Sequence, residues 1–244
     1  MMHEKSQQQA SRNCFYVFGF LFLLVVGTLF SQHAKAQGSG SGSGSFNINP
    51  SGISGSAGAG VVLFDVVKPS SEFVLDQGIF AAIQGERGLG FLHLYLTISL
   101  SYLTTQGQTA YRYSTLSGDI YTGTDVNFTT QVFQGGLGLK FKLLQQSWVR
   151  PYVEAGGTGG YYQIAYKDTA TKVTGPGSAA KDKDAILDFG TYAEGGVELA
   201  FSSTFGIRAA ARFTENQTKP FVTLNNQKIQ YRSEIYYLSA LKNF

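Results

Sequence analysis

The sequence predicts an all-β fold: an eight-stranded antiparallel transmembrane up-and-down β-barrel. Three observations predict it. Between Ala185 and Glu215 one set of alternate positions is largely apolar and the intervening set carries the charges. Leu187, Phe189, Ala193, Val197, Leu199 and Phe201, then Phe205, Ile207, Ala209, Ala211 and Phe213, form one set. Asp188, Glu194, Glu198, Arg208 and Arg212 belong to the other. Period two without a helical component means strands. A soluble sheet can alternate in this way too; it is the charges of both signs on one face, repeated in later strands and joined to an export signal, that suggest a lumen. The chain also begins with the features of an export signal. Finally, the predicted strands are long enough to cross a bilayer, and their connections alternate between short and long.

Residues 1–36 read as a secretory signal peptide. Lys5 and Arg12 precede the apolar run Phe15 to Phe30, and Ala34 and Ala36 supply the small residues of a cleavage site after Ala36. The chain that remains, 37–244, has no cysteine and carries 16 basic and 15 acidic residues. No disulfide framework supports the fold, and near-neutral charge gives no reason to expect nucleic acid as a partner. No second long apolar run follows, so membrane residence must come from strands closed into a barrel. Residues 37–57, beginning with Gly-Ser repeats over 38–45, read as a flexible leader. The barrel domain is expected over 58–244.

Eight strands follow in order. The first is expected over 58–67, ending at Lys68-Pro69-Ser70-Ser71, and the second over 72–85, with Glu86-Arg87-Gly88 as a turn. The third, 89–105, sets Leu92, Leu94, Leu96, Ile98, Leu100 and Tyr102 against Phe91, His93, Tyr95, Thr97, Ser99 and Ser101. A long polar loop is expected over 106–127. The fourth strand, 128–144, sets Phe133, Leu137, Leu139, Phe141 and Leu143 against Gln134, Lys140 and Lys142. After a short turn at 145–147, the fifth, 148–167, carries Arg150, Glu154 and Thr158 on one face. A polar loop runs through 168–184. The sixth and seventh, 185–201 and 205–215, flank Ser202-Ser203-Thr204. After a loop at 216–227, the eighth, 228–244, sets Ile229, Tyr231, Ile235 and Tyr237 against Gln230, Arg232 and Glu234. Trp148, Tyr161, Tyr162, Tyr166, Tyr236 and Tyr237 are expected in interfacial girdles. Glycines within the strands permit strong curvature and leave room inside for long side chains.

An eight-stranded barrel is just wide enough to be filled by side chains, and charges inside it must be paired or hydrated. The inward set is expected to be Lys140, Lys142, Arg150, Arg208, Arg212 and Arg232 with Glu154, Asp188, Glu194, Glu198 and Glu234. Counting across the turn at Ser203 puts Glu198 opposite Arg208 and Glu194 opposite Arg212. The expectation is a lumen ion-pair network that plugs the barrel. His93 is the only histidine left after cleavage. It is expected inward near the start of the third strand, with no acid spaced beside it or beside Ser99 and Ser101, so no enzyme is expected. No motif implies a cofactor or a metal.

The segments GGLGLKFKLL and VRPYVEAGGTGGYY, then EGGVELAF, FGIRAAARF and a last strand ending in Phe244, resemble the small OmpA-like and OmpW-like outer-membrane β-barrel proteins of Gram-negative bacteria. The resemblance spans 128–244 well and 58–127 loosely. It implies residence among outer-membrane lipid, and recognition of the C-terminal strand, ending in Phe244, by the barrel-assembly machinery. It carries no shared chemistry and leaves any extracellular ligand unnamed. The function expected is a structural or surface-interaction role with a largely plugged lumen. The alternatives are a narrow porin-like channel for small solutes, or a soluble periplasmic ligand-binding barrel.

Overall fold

The computed structural model describes residues 53–68, 73–90, 93–144, 147–175 and 180–243. The signal peptide with Ala34 and Ala36, residues 37–52 of the leader, and Phe244 lie outside the described residues. Residues 53–57, expected in the leader, are strand because they pair with 83–87, and 54–57 pair with the last strand as well. Ten strands and one helical turn run in the order β1 (Ile53–Lys68), β2 (Phe73–Leu75), β3 (Gly78–Gly88), β4 (Leu94–Ser114), β5 (Ile120–Lys142), β6 (Val149–Tyr166), α1 (Thr169–Lys172), β7 (Val173–Thr174), β8 (Lys183–Ala200), β9 (Phe205–Thr218) and β10 (Gln230–Asn243). Each of the eight long strands pairs antiparallel with its neighbours, and β1 pairs with both β3 and β10. The sheet therefore closes into an eight-stranded up-and-down barrel. Closure leaves no edge in the wall, which lipid requires. β2 and β7 are short additions on β4 and β5.

Outside, a belt of large apolar side chains faces away from the protein. Ile79, Ile83, Ile98, Leu100, Phe133, Leu137, Val153, Phe189, Phe205 and Leu238 are all exposed. In water such a continuous surface would drive association; it suits a hydrocarbon surround. Above it the outward positions turn polar, with Asp65, Gln106, Glu215 and Arg232. Trp148 and Tyr161 lie on the outer surface as expected of girdle residues, but Tyr162, Tyr166 and Tyr237 do not: they are buried inside.

Chain ends and short turns gather at one end of the barrel. At the other, strands and loops project well past the belt. The segment expected as a loop at 106–127 is largely strand, because the β4–β5 ladder continues from Leu94↔Phe141 up to Ser114↔Ile120. The turn expected at 86–88 is also strand. β3 runs through Glu86 and Arg87 to Gly88, and β4 begins at Leu94; between them Gly90 and His93 adopt left-handed backbone.

Candidate functional site: a doubly filled lumen

Strand parity sets the interior. On β3 the even positions point inward, so Gln84 and Glu86 are buried while Ile83, Gly85 and Arg87 face out. β5 adds Lys140 and Lys142, β6 adds Tyr152 and Glu154, β8 adds Tyr192, Glu194 and Glu198, and β9 adds Arg208 and Arg212. All sit toward the short-turn end, and each is less than a tenth exposed.

There ion pairs join Glu86, Glu154, Glu198, Lys140, Lys142 and Arg208, and Tyr152 and Tyr192 link the Glu194–Arg212 pair to them. The β8–β9 register places Glu198 opposite Arg208 and Glu194 opposite Arg212. Arg208 Nη2 lies 2.7 Å from Glu198 Oε1, and Arg212 Nε lies 2.6 Å from Glu194 Oε2. Glu86 is the hub. Its carboxylate receives Lys140 Nζ at 2.7 Å, Arg208 Nη2 at 3.1 Å and Lys142 Nζ. Lys142 also reaches Glu198 at 2.9 Å, and Lys140 reaches Glu154 at 3.3 Å. Neutral donors complete the carboxylates. Tyr192 and Thr97 donate to Glu154 at 2.7 and 2.8 Å, Gln84 Nε2 donates to the same group, Tyr152 donates to Glu194 at 2.7 Å, and Ser54 donates to Glu86 at 2.6 Å. Arg212 lies over the Tyr192 ring, Lys140 over Tyr152 and Lys142 over Tyr95. Buried charges persist when paired and hydrogen-bonded in this way.

The tyrosines fit because glycines stand beside them. A Cβ on Gly138 would come within 2.2 Å of the Tyr192 hydroxyl, and one on Gly196 within 2.7 Å of the Tyr152 hydroxyl. Two inward positions without side chains thus admit the phenols that bind Glu154 and Glu194.

Arg150 is buried in the same region but joins no ion pair among the described residues. Its Nε donates to the Ser147 carbonyl at 2.9 Å. Asp188 is buried apart from the cluster, among Gln134, Asn216 and Tyr231. Arg232 and Glu234, expected inward, point outward. Arg232 is exposed and lies 3.5 Å from Glu215 on the outer surface. The reason is the content of the lumen at their level. Toward the long-loop end the interior is aromatic and aliphatic, so on β10 the residues that fill it are Tyr231, Ser233, Ile235 and Tyr237, and the polar set takes the other face. His93, also expected inward, is an exposed turn residue 3.1 Å from the Lys142 carbonyl.

The aromatic half includes Phe73, Phe80, Tyr111, Phe128, Tyr162, Tyr166, Phe221 and Tyr231, packed edge-on or tilted. The β9–β10 loop folds into the mouth as a lid. Phe221 and Thr223 are wholly buried. The Thr223 amide and hydroxyl both donate to Asp184 Oδ2 at 3.0 Å, and the Tyr166 and Thr223 hydroxyls lie 2.7 Å apart.

The sequence reading missed Glu86, Gln84 and the lumen tyrosines. A signal for the first two was present: Phe80, Gln84, Glu86 and Gly88 alternate with Ile79, Ile83, Gly85 and Arg87.

No protein-family profile matches the chain, and no curated protein matches it. Among solved structures, Neisserial surface protein A matches at 14% identity, covering 79% of this chain and 97% of that one, with a TM-score of 0.47. The outer membrane protein OprG from Pseudomonas aeruginosa matches at 11% identity over 82% and 98%, with a TM-score of 0.44. The N-terminal β-barrel domain of Pseudomonas aeruginosa OprF matches at 10% identity over 80% and 98%, with a TM-score of 0.40.

Proposed function

We propose that the chain is an integral outer-membrane barrel whose lumen is closed to free diffusion, with a structural or surface-interaction role exercised through its long-loop end. In this reading residues 1–36 are removed on export, and the short turns and chain ends face the periplasm. Outer-membrane lipid covers the apolar belt, and the assembly machinery reads the strand that ends at Phe244. The single observation that carries the closed lumen is its filling by two successive layers, the ionic cluster around Glu86 and the aromatic layer beneath the β9–β10 lid. An interior of this size is filled by side chains alone.

The outward apolar belt supports a lipid surround over a soluble periplasmic barrel, which would carry that belt inside. A porin-like channel needs a continuous polar path, and the aromatic layer opposes one. We assign no catalysis, cofactor or nucleic-acid partner.

Single-channel recording on the protein in planar bilayers tests the closed lumen. The expected trace has no conductance steps for the native chain, whose folding is monitored by heat-modifiable gel migration. A steady open-channel current from folded native protein sinks the reading. Conductance that appears only in Glu194→Gln/Glu198→Gln, with the variant folded, assigns the closure to the ionic layer.

A further inference from the structure

We propose that Asp188, Asn216 and Tyr162 form a binding site for a monovalent cation between the ionic and aromatic layers of the lumen. The inference goes beyond the closed-lumen reading, and its failure would leave that reading standing.

Asp188 is wholly buried and forms no ion pair among the described residues. Its two carboxylate oxygens are treated unequally. Oδ2 accepts from Tyr231 Oη at 3.0 Å, from Asn216 Nδ2 at 3.1 Å and from Gln134 Nε2. Oδ1 is buried with no partner, and so are Asn216 Oδ1 and the Tyr162 hydroxyl. The Thr130 hydroxyl lies beside that phenol, and the Phe189 amide beside the Asp188 carboxylate. Tyr162 and Asn216 stand on the strands either side of Asp188, each two residues from the register partner of Asp188 there, Gly160 on β6 and Thr218 on β9. Asn216 touches Asp188 directly, and the Tyr162 ring centroid lies 5.7 Å from that of Tyr231, which also touches it.

The chain makes room for this arrangement. A Cβ on Gly190, the β8 partner of Asn216, would come within 2.6 Å of Asn216 Cγ and 2.7 Å of its Nδ2. Glycine there lets the amide lie against the strand and reach Asp188.

Charge and chemistry then select the ligand. An uncompensated carboxylate in the interior is costly. In its ionised form Asp188 carries a charge that the neutral donors on Oδ2 do not cancel. The three open atoms are all oxygens, a hard donor set. They bring one negative charge, and the described residues contain no group of three acidic, histidine or cysteine side chains that could hold a divalent ion. One hard, singly charged cation matches both the donor type and the charge.

The experiment compares urea unfolding of the full barrel, refolded in neutral phospholipid vesicles, in sodium, potassium and choline chloride at equal ionic strength. An alkali cation is expected to raise the unfolding midpoint in a saturable way, with the folding equilibrium rising tenfold for each tenfold increase in cation above its dissociation constant. Choline is expected to be inert, and Asp188→Asn to abolish the response. Identical midpoints in all three salts overturn the site, as does a response retained in Asp188→Asn. A response confined to calcium overturns the monovalent assignment. Should Asp188→Asn fail to fold, Tyr162→Phe serves instead and is expected to weaken the cation response at least threefold; an unchanged response in that variant overturns the site. Thallium soaked into crystals of the native protein should give an anomalous peak beside Asp188 Oδ1.

Discussion

Glu198 on β8 and Arg208 on β9 are register partners across one hairpin, and Glu86 on β3 reaches the same guanidinium Nη2 from another part of the wall. Arg208 therefore ties two carboxylates that local sequence keeps far apart. Arg208→Met leaves both carboxylates buried with lysines as their only cationic partners among the described residues, and it should destabilise the barrel by about 3–5 kcal/mol. The double variant Arg208→Met/Glu198→Gln removes one charge of each sign and should cost clearly less than the single one. Urea unfolding in vesicles, run as a double-mutant cycle, reads the difference.

Gly138 is expected to be intolerant of any side chain, because its inward face is occupied by the Tyr192 phenol and the Ala155 carbonyl. Gly138→Val should displace Tyr192 from Glu154 and cost about 1–3 kcal/mol. Gly135 is the control. A Cβ there meets nothing closer than 3.8 Å, and Gly135→Ala should leave the unfolding midpoint in place.

The β9–β10 lid is held from two sides: the Thr223 amide and hydroxyl both donate to Asp184 Oδ2, and the Thr223 carbonyl accepts from the Arg112 amide of β4. Asp184→Ala should loosen the lid without opening the wall. Amide hydrogen exchange is the measurement: Thr223 should lose protection by about tenfold to a hundredfold, the equivalent of 1.4–2.7 kcal/mol. Amides of the β8–β9 ladder should be unchanged. Equal loss in both places would mean that Asp184 supports the barrel as a whole.

The two sides of the wall should respond oppositely to charge. Leu137, exposed in the middle of the belt, should tolerate arginine poorly, at about 2–4 kcal/mol in vesicles. Arg232→Leu removes only an exposed pair with Glu215 and should change stability by less than about 1 kcal/mol. A large loss on Arg232→Leu would return that residue to the lumen.

The wall of the barrel is legible in the order of residues along the chain. Alternation over 185–215 assigned both faces of β8 and β9, and the count across Ser203 gave the Glu198–Arg208 and Glu194–Arg212 register, because hairpin pairing is local and side-chain direction has a strict period of two. The contacts across the lumen are not legible there and follow from closure of the barrel. Glu86, Lys140, Glu154 and Arg208 come from four strands, and no local count brings them to one point. The tertiary structure also decided which face of β10 is inside. Alternation establishes that two faces differ, and its sign can be read only where the lumen's contents are known. Here the lumen changes from ionic to aromatic along its axis, so Tyr231 and Tyr237 go in while Arg232 and Glu234 go out.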